Sequence, residues 1–496
     1  MYDYFMENEL YQKLLQLFIL GYEGETPPQK LISLIENGLG GVIFFAENLK
    51  NRKEFINITE KLKVSAQIPL FLSVDQEGGL VERTIFLDKR VEYLTPKALS
   101  RLNKTDIKIH YDILSKDLVS MGLNLNFAPV VDVNSNPKNP IIGVRSFGNT
   151  PDIVNKNAKI VINSFNENGI ISCAKHYPGH GDTLTDSHKV MPCVDMDFDE
   201  FYKTHLICFE EAVKNNVDTV MVSHVHFPFF DEKPTPSSLS KNAINYLKNE
   251  LKFEGIIFSD DMVMGGISQN YGLQESIILA LKAGIDTLIF RNTTDELTCA
   301  IKEIAAITDK ELKNAIERAY EKVICFKKSK LVDNKPFEFD TLKNQKGIDK
   351  IALKTPKIIK NNGILPLTNG SKITVLSFDN SEIFNLSTIN SNLSDYLDGY
   401  NPTEIKYPVS PAREDIKKIL KQLNNDDTVI FLSYNPTLNK GQNELFKAIT
   451  SRKILIHCGI EDCNTQTGNA ESIILASCYN TPALKALADI LIKPCN

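Results

Sequence analysis

Several things are scarce or missing in this 496-residue chain, and each absence removes a class of function. Positive charge is not in excess: 56 Lys and Arg stand against 62 Asp and Glu, for a formal net charge of -6. Such a chain has no broad basic field to attract nucleic acid or anionic lipid. Long apolar runs are missing too. The stretch Leu14 to Leu20 falls far short of the ~20 residues a membrane-spanning helix needs. Nine cysteines contain no Cys-x-x-Cys pair, and Cys173, Cys208, Cys299 and Cys325 lie in apolar-periodic segments, where a free thiol behaves as a small buried hydrophobe. An odd, scattered set of this kind suits a reducing compartment. The first ten residues are acidic where a signal peptide carries positive charge. The resulting expectation is a cytoplasmic protein with neither nucleic acid nor membrane as partner. No internal repeat or long low-complexity tract is present.

The composition, 42% hydrophobic and 24% charged, is that of an ordinary globular enzyme. The length exceeds what one core usually supports. Eight short apolar runs alternate with helix-like spacing over the first two thirds: 15–22, 41–46, 70–75, 123–130, 171–176, 219–225, 255–260 and 287–291. This pattern predicts a (β/α)8 barrel, with a doubly wound open sheet as the competing arrangement. Asp75, Lys175 and His176, His224, Asp260 and Arg291 stand at or near the ends of their runs. In a barrel those ends converge on one face, whereas an open sheet spreads them along an edge. After the helical stretch Asp309 to Lys328 the chain turns polar, with Lys327, Lys328, Lys330 and Asp333 to Pro336, and this marks the domain boundary. Runs at 372–378, 427–433 and 453–458 then predict a smaller α/β sandwich domain. The expected division is a barrel over 1–330, a linker over 331–350 and the second domain over 351–496.

Histidine is sparse, and its placement is uneven. Of eight in the chain, six (His176, His180, His188, His205, His224 and His226) fall between 176 and 226. Residues 175–188 set Lys175, three of those histidines, Asp182 and Asp186 on a stretch broken by Pro178, Gly179 and Gly181. That stretch must be a loop, and polar loops are favoured places for chemistry. Asp186 stands two residues before His188, a spacing that lets a carboxylate orient an imidazole for proton transfer; a structural Asx-turn has the same spacing. Asp260 and Asp261 close a buried run, where one could act as a nucleophile and one could cap the following helix. Asp75-Gln-Glu-Gly-Gly79 with Arg83, and Arg145 between two glycines, are candidate ligand-gripping segments, although surface turns look similar.

Taken in order, these segments resemble glycoside hydrolase family 3, and most closely its β-N-acetylglucosaminidase branch. The resemblance rests on Asp-Gln-Glu-Gly-Gly at 75–79 with Arg83, Arg-Ser-Phe-Gly at 145–148, Lys-His-Tyr-Pro-Gly-His-Gly-Asp-Thr at 175–183, Asp-Ser-His at 186–188 and Phe-Ser-Asp-Asp-Met at 258–262. It covers about residues 10–330. The resemblance implies a retaining hydrolase that removes terminal β-linked N-acetylglucosamine from peptidoglycan-derived muropeptides, without a metal or other cofactor. Asp260 would be the nucleophile, His188 the acid/base and Asp186 its orienting partner. Asp75, Arg83, Arg145, Lys175 and His176 would grip the carbohydrate. Leu80 departs from the Arg common in the family, and Tyr177 from the usual Phe. In the second domain only Asn361 to Leu367 looks like the family. His224-Val-His226 is reminiscent of metal-dependent amidohydrolase barrels, but it lies on about the sixth run where those place it on the first. Phosphorolysis, a β-glucosidase and an inactive sugar-binding module are the alternatives.

Overall fold

Each of the eight apolar runs folds into a strand. The computed structural model describes residues 2–187, 189–331, 337–368, 370–383, 386–461 and 469–493. The strands are β1 Phe18–Leu20, β2 Gly41–Phe44, β3 Phe71–Val74, β4 Leu125–Asn126, β5 Ile171–Tyr177, β6 Thr219–Val222, β7 Ile256–Asp261 and β8 Thr287–Phe290. All neighbours are parallel, and β1 pairs with β8 to close a barrel in sequential order. The open-sheet arrangement is thereby replaced by the barrel. Strands buried on both faces read as continuous apolar runs rather than alternating ones, which is why all eight were visible in the residues. Inside, Phe258 meets Phe71 and Phe127 edge-on at centroid separations of 5.8 and 5.5 Å, so the barrel is filled rather than hollow.

Two strands carry an extra residue, and both lie under a signature dipeptide. On β5 the register slips between Ala174 and Tyr177 relative to β6. On β7 it slips between Phe258 and Asp261 relative to β8. A bulge lets consecutive side chains escape the strict in-and-out alternation. Lys175 with His176, and Asp260 with Asp261, accordingly all reach the same mouth of the barrel.

At the opposite end the sequence reading needs correction. Lys327, expected among the polar residues that close the first domain, is 1% exposed. The helix Lys310–Lys330 runs through it, and its Nζ donates to Gln16 Oε1 at 3.0 Å and Gly40 O at 2.6 Å while standing 4.6 Å from the Phe71 ring centre. Its carbon stem fills the barrel floor, and burial pushes its amine down to about 7. Of the expected linker, 332–336 lie outside the described residues. Thr341–Ala352 forms a helix whose Ile348, Ile351 and Ala352 join the barrel's apolar cluster.

The second domain is a six-stranded mixed sheet. Its strands are β9 Lys357–Asn361, β10 Ile373–Phe378, β11 Thr403–Tyr407, β12 Thr428–Ser433, β13 Lys453–His457 and β14 Ser472–Leu475, ordered β11-β10-β12-β13-β14-β9 with β9 antiparallel. β10, β12 and β13 are the three strands predicted. β9 and β11 are half-exposed edges with charged residues, and β14 is four residues long, so none of these makes a long apolar run. The domain clasps the barrel through a few well-made bonds. Arg101 forks onto Thr355 O, Ser477 Oγ and Ala476 O at 3.1, 3.0 and 2.7 Å, and Asn480 Nδ2 donates to Tyr93 O at 2.7 Å.

Candidate active site

At the C-terminal ends of the strands a cavity of about 440 Å³ opens, lined by Asp75, Arg83, Arg145, Lys175, His176, Asp186, Ser187 and Asp260 among others. Seven of the eight residues singled out from the sequence share this one space. The eighth, His188, lies outside the described residues. Asp186 approaches from the loop after β5 and Asp260 from β7, so segments about seventy residues apart meet here. Among the described residues none of the second domain lines the cavity. Leu80 sits between the cavity and that domain's apolar core, which suits an aliphatic side chain where the family often has Arg.

A charge network forms the floor. Lys175 Nζ stands 2.7 Å from both Asp75 Oδ1 and Glu77 Oε1. Arg145 grips Glu77 with two parallel bonds of 2.8 Å, and Arg83 reaches Asp75 Oδ2 at 3.3 Å. Burial alone would raise both carboxyls. The cations outweigh it, holding Asp75 below its ordinary range and Glu77 down to about 2. Arg145, expected as a clamp open to ligand, is thus already paired with Glu77, a residue within the quoted motif that was given no role. The Gly78-Gly79 turn makes this possible at φ of +105° and +64°. A Cβ on Gly79 would stand 2.3 Å from Thr95 Cγ2.

Asp132 is a further residue that sequence reasoning missed. Its carboxylate accepts His176 Nδ1–H at 2.7 Å, His176 N–H at 3.1 Å and His180 N–H at 2.6 Å. Arg145 Nη2 faces the other ring nitrogen of His176 at 3.3 Å, which keeps the proton on Nδ1. Burial would raise Asp132 as well, yet the two histidines and these bonds hold it low. The run 123–130 was taken to stop two residues too soon. A polar residue closing the extended run was the available signal. Gly181 is needed where the loop passes this segment, because a Cβ there would lie 1.7 Å from Val133 O.

The paired aspartates divide their tasks. Asp261 Oδ1 accepts the N–H groups of Val263 and Arg291 at 3.3 and 3.2 Å, closing a turn rather than capping the following helix Gly265–Ser268, whose N-cap is Met264, and burial pushes its carboxyl up to about 6. Asp260 accepts the Asp261 N–H at 2.8 Å. His224 and His226 are occupied by the protein itself. His224 bonds Ser238 Oγ at 2.7 Å and Asp261 O at 3.0 Å, and His226 Nδ1 accepts Thr235 N–H at 3.2 Å. A 440 Å³ recess at the C-terminal face of the barrel, lined by carboxylates, cations and imidazoles, has the position and the polar lining of a ligand-binding site.

Comparison with known proteins agrees with the barrel fold. "Beta-hexosaminidase A" of Pseudoalteromonas piscicida is 32% identical over 394 residues, covering 71% of this chain and 64% of that protein. The chain therefore spans under two thirds of that relative's length. "Beta-hexosaminidase" of Photobacterium profundum is 32% identical over 286 residues, covering 57% of this chain and 82% of that protein. A solved glycoside hydrolase family 3 β-N-acetylglucosaminidase from Paenibacillus sp. str. FPU-7 superposes with a TM-score of 0.84 at 26% identity, covering 97% of this chain and 96% of that one. Residues 9–324 match the profile described as the glycosyl hydrolase family 3 N terminal domain, and with the barrel and its charged mouth they establish that the chain belongs to glycosyl hydrolase family 3.

Proposed function

We propose that the protein is a retaining exo-β-N-acetylglucosaminidase acting on peptidoglycan-derived muropeptides in the cytoplasm. In this reading Asp260 attacks the anomeric carbon while the His188 imidazolium, oriented by Asp186, protonates the departing glycosidic oxygen. The glycosyl-enzyme ester is then cleaved by water, whose proton returns to the His188 imidazole as the sugar leaves Asp260. Asp75, Arg83, Lys175 and His176 hold the non-reacting hydroxyls, so that binding energy favours the distorted ring of the transition state. Arg145 acts through Glu77 and His176 as much as on the sugar itself.

The observation that carries the reading is that Asp260, at the end of β7, and Asp186, in the loop after β5, line one cavity whose floor is the Asp75–Lys175–Arg83 network. The β-hexosaminidase relatives support the choice of sugar, and the free cysteines suit a reducing compartment. The test is release of 4-nitrophenol from the β-N-acetylglucosaminide and from the glucoside, with products from a defined N-acetylglucosaminyl-muramyl peptide identified by mass spectrometry. Free N-acetylglucosamine is expected from the aminosugar substrates alone. Asp260→Asn should lower kcat by about 10³-fold or more while sugar binding persists, as expected on loss of a nucleophile. Asp260→Asn and His188→Ala both keeping full rate would refute the mechanism.

A further inference from the structure

The loop bearing Asp186 contains a run of hydrogen bonds whose direction can be worked out from its far end. Asn139 Oδ1 accepts the N–H groups of Ile141 and Ile142 at 2.9 and 2.7 Å. The side-chain nitrogen must therefore face the loop, and it donates to His180 O at 2.8 Å and Thr183 Oγ1 at 3.1 Å. Thr183 Oγ1 is thus an acceptor whose own proton has to go elsewhere. His180 O already receives Asn139 Nδ2 and the Thr183 N–H. His180 Nδ1, at 2.9 Å, is also nearer to the hydroxyl than the carbonyl is, at 3.1 Å. The proton on Thr183 goes to Nδ1.

A ring that accepts at Nδ1 carries its proton on Nε2, and Nε2 stands 2.8 Å from Ser187 Oγ. Burial and the neighbouring His176 push His180 down to about 4, so at neutral pH the ring has this single N–H to give. His180, Thr183 and Ser187 are all at most 2% exposed, so water does not compete for these bonds. Ser187 Oγ is left as the acceptor from His180, with its hydroxyl proton still unspent. Among the described residues nothing else accepts that proton, and Ser187 lines the cavity. Its backbone carbonyl takes the Gly266 N–H at 3.0 Å, which ties it to the segment following β7.

We infer that Ser187 is a substrate-binding residue: its hydroxyl, set in direction by the Asn139–Thr183–His180 relay, donates to an oxygen of the bound glycoside. Thr183 and His180 are positioning residues for that donor. The inference rests on the glycosidase reading, and the experiment separates the two. With 4-nitrophenyl β-N-acetylglucosaminide, Ser187→Ala is expected to lower kcat/KM by about tenfold, the worth of one well-made neutral hydrogen bond. Ser187→Thr, which keeps a hydroxyl, should recover part of that loss.

Thr183→Val is nearly isosteric but frees His180 Nδ1, so the ring can take its other tautomer and accept at Nε2. Ser187 would then turn its proton back toward the ring, with a similar loss of about tenfold. The double variant should lose no more than Ser187→Ala alone, because the relay acts only through Ser187. A role confined to folding would instead lower the unfolding midpoint together with the rate, and would make the two losses multiply to about a hundredfold. Wild-type kcat/KM in Ser187→Ala, or multiplying losses, overturns the assignment while the wild type's activity leaves the glycosidase reading standing. An inactive wild type overturns both.

Discussion

Glu77→Gln removes one charge from the centre of the site, and its cost can be worked from the structure. Glu77 is 2% exposed, and its two oxygens take Arg145 Nε, Arg145 Nη2 and Lys175 Nζ at 2.8, 2.8 and 2.7 Å. An amide oxygen could keep the bonds at one side, but its NH₂ would point at a guanidinium N–H on the other. Lys175 and Arg83 would then share Asp75, and Arg145 would lose its carboxylate partner. Breaking a buried ion pair from one side costs ~3–5 kcal/mol. By contrast Glu60→Gln, which breaks the half-exposed pair with Lys63, should cost no more than about 0.5 kcal/mol. Urea unfolding of the three proteins measures both. The group's folded pKa is depressed to about 2. Its stabilisation is therefore fully present above the ordinary Glu value and lost as pH falls toward 2. The Glu77→Gln protein should lack that acid limb, and it should also bind sugar more weakly because Arg145 and Lys175 lose their alignment. An unchanged urea midpoint with an unchanged KM would refute the account of the cavity floor.

Two further changes probe the supports of the site. Glu82 accepts the N–H groups of Gly79 and Tyr93, each at 2.9 Å, and burial pushes its carboxyl up to about 8 despite Arg90. The folded state then holds a proton that the unfolded chain has released between its ordinary value and pH 8, so stability should fall as pH rises through that window. Glu82→Gln should flatten that fall and gain on the order of 2–4 kcal/mol near pH 8, seen as a rise in urea midpoint. Arg101→Lys cannot reproduce the fork onto Thr355, Ser477 and Ala476. It should destabilise by about 2 kcal/mol and separate the unfolding of barrel and second sheet in a calorimeter, whereas one unchanged transition would count against this clasp.

Much of this architecture was legible because a fully buried parallel strand needs an apolar run. The polar residues closing those runs pointed to one shared mouth. What stayed hidden has a common cause. Whether Lys175 and His176, or Asp260 and Asp261, can face the same way depends on an extra residue in β5 and β7 relative to their neighbours, and register is a property of pairs of strands. Asp132 and Glu77 were passed over because their value lies in the cations and imidazoles they hold, which come from segments far along the chain. Lys327 misled because a charged residue near a domain end usually meets water, whereas this one has backbone and amide oxygens waiting beneath the barrel. β9 and β11 went unseen because edge strands mix charge with apolar residues.

Those two edges have a consequence of their own. A barrel closed on itself offers no unpaired strand to another chain, so among the described residues the rows of free backbone donors and acceptors lie along β9 and β11. Ile359 stands half-exposed on the first of them, with Lys357 and Lys360 beside it, while Lys406 stands exposed on the second. A foreign strand adding there would have to bring its own charges against these, so the lysines act as guards against self-association. Clumping of partly melted protein should accordingly start from the smaller sheet, with the catalytic barrel carried along as a passenger.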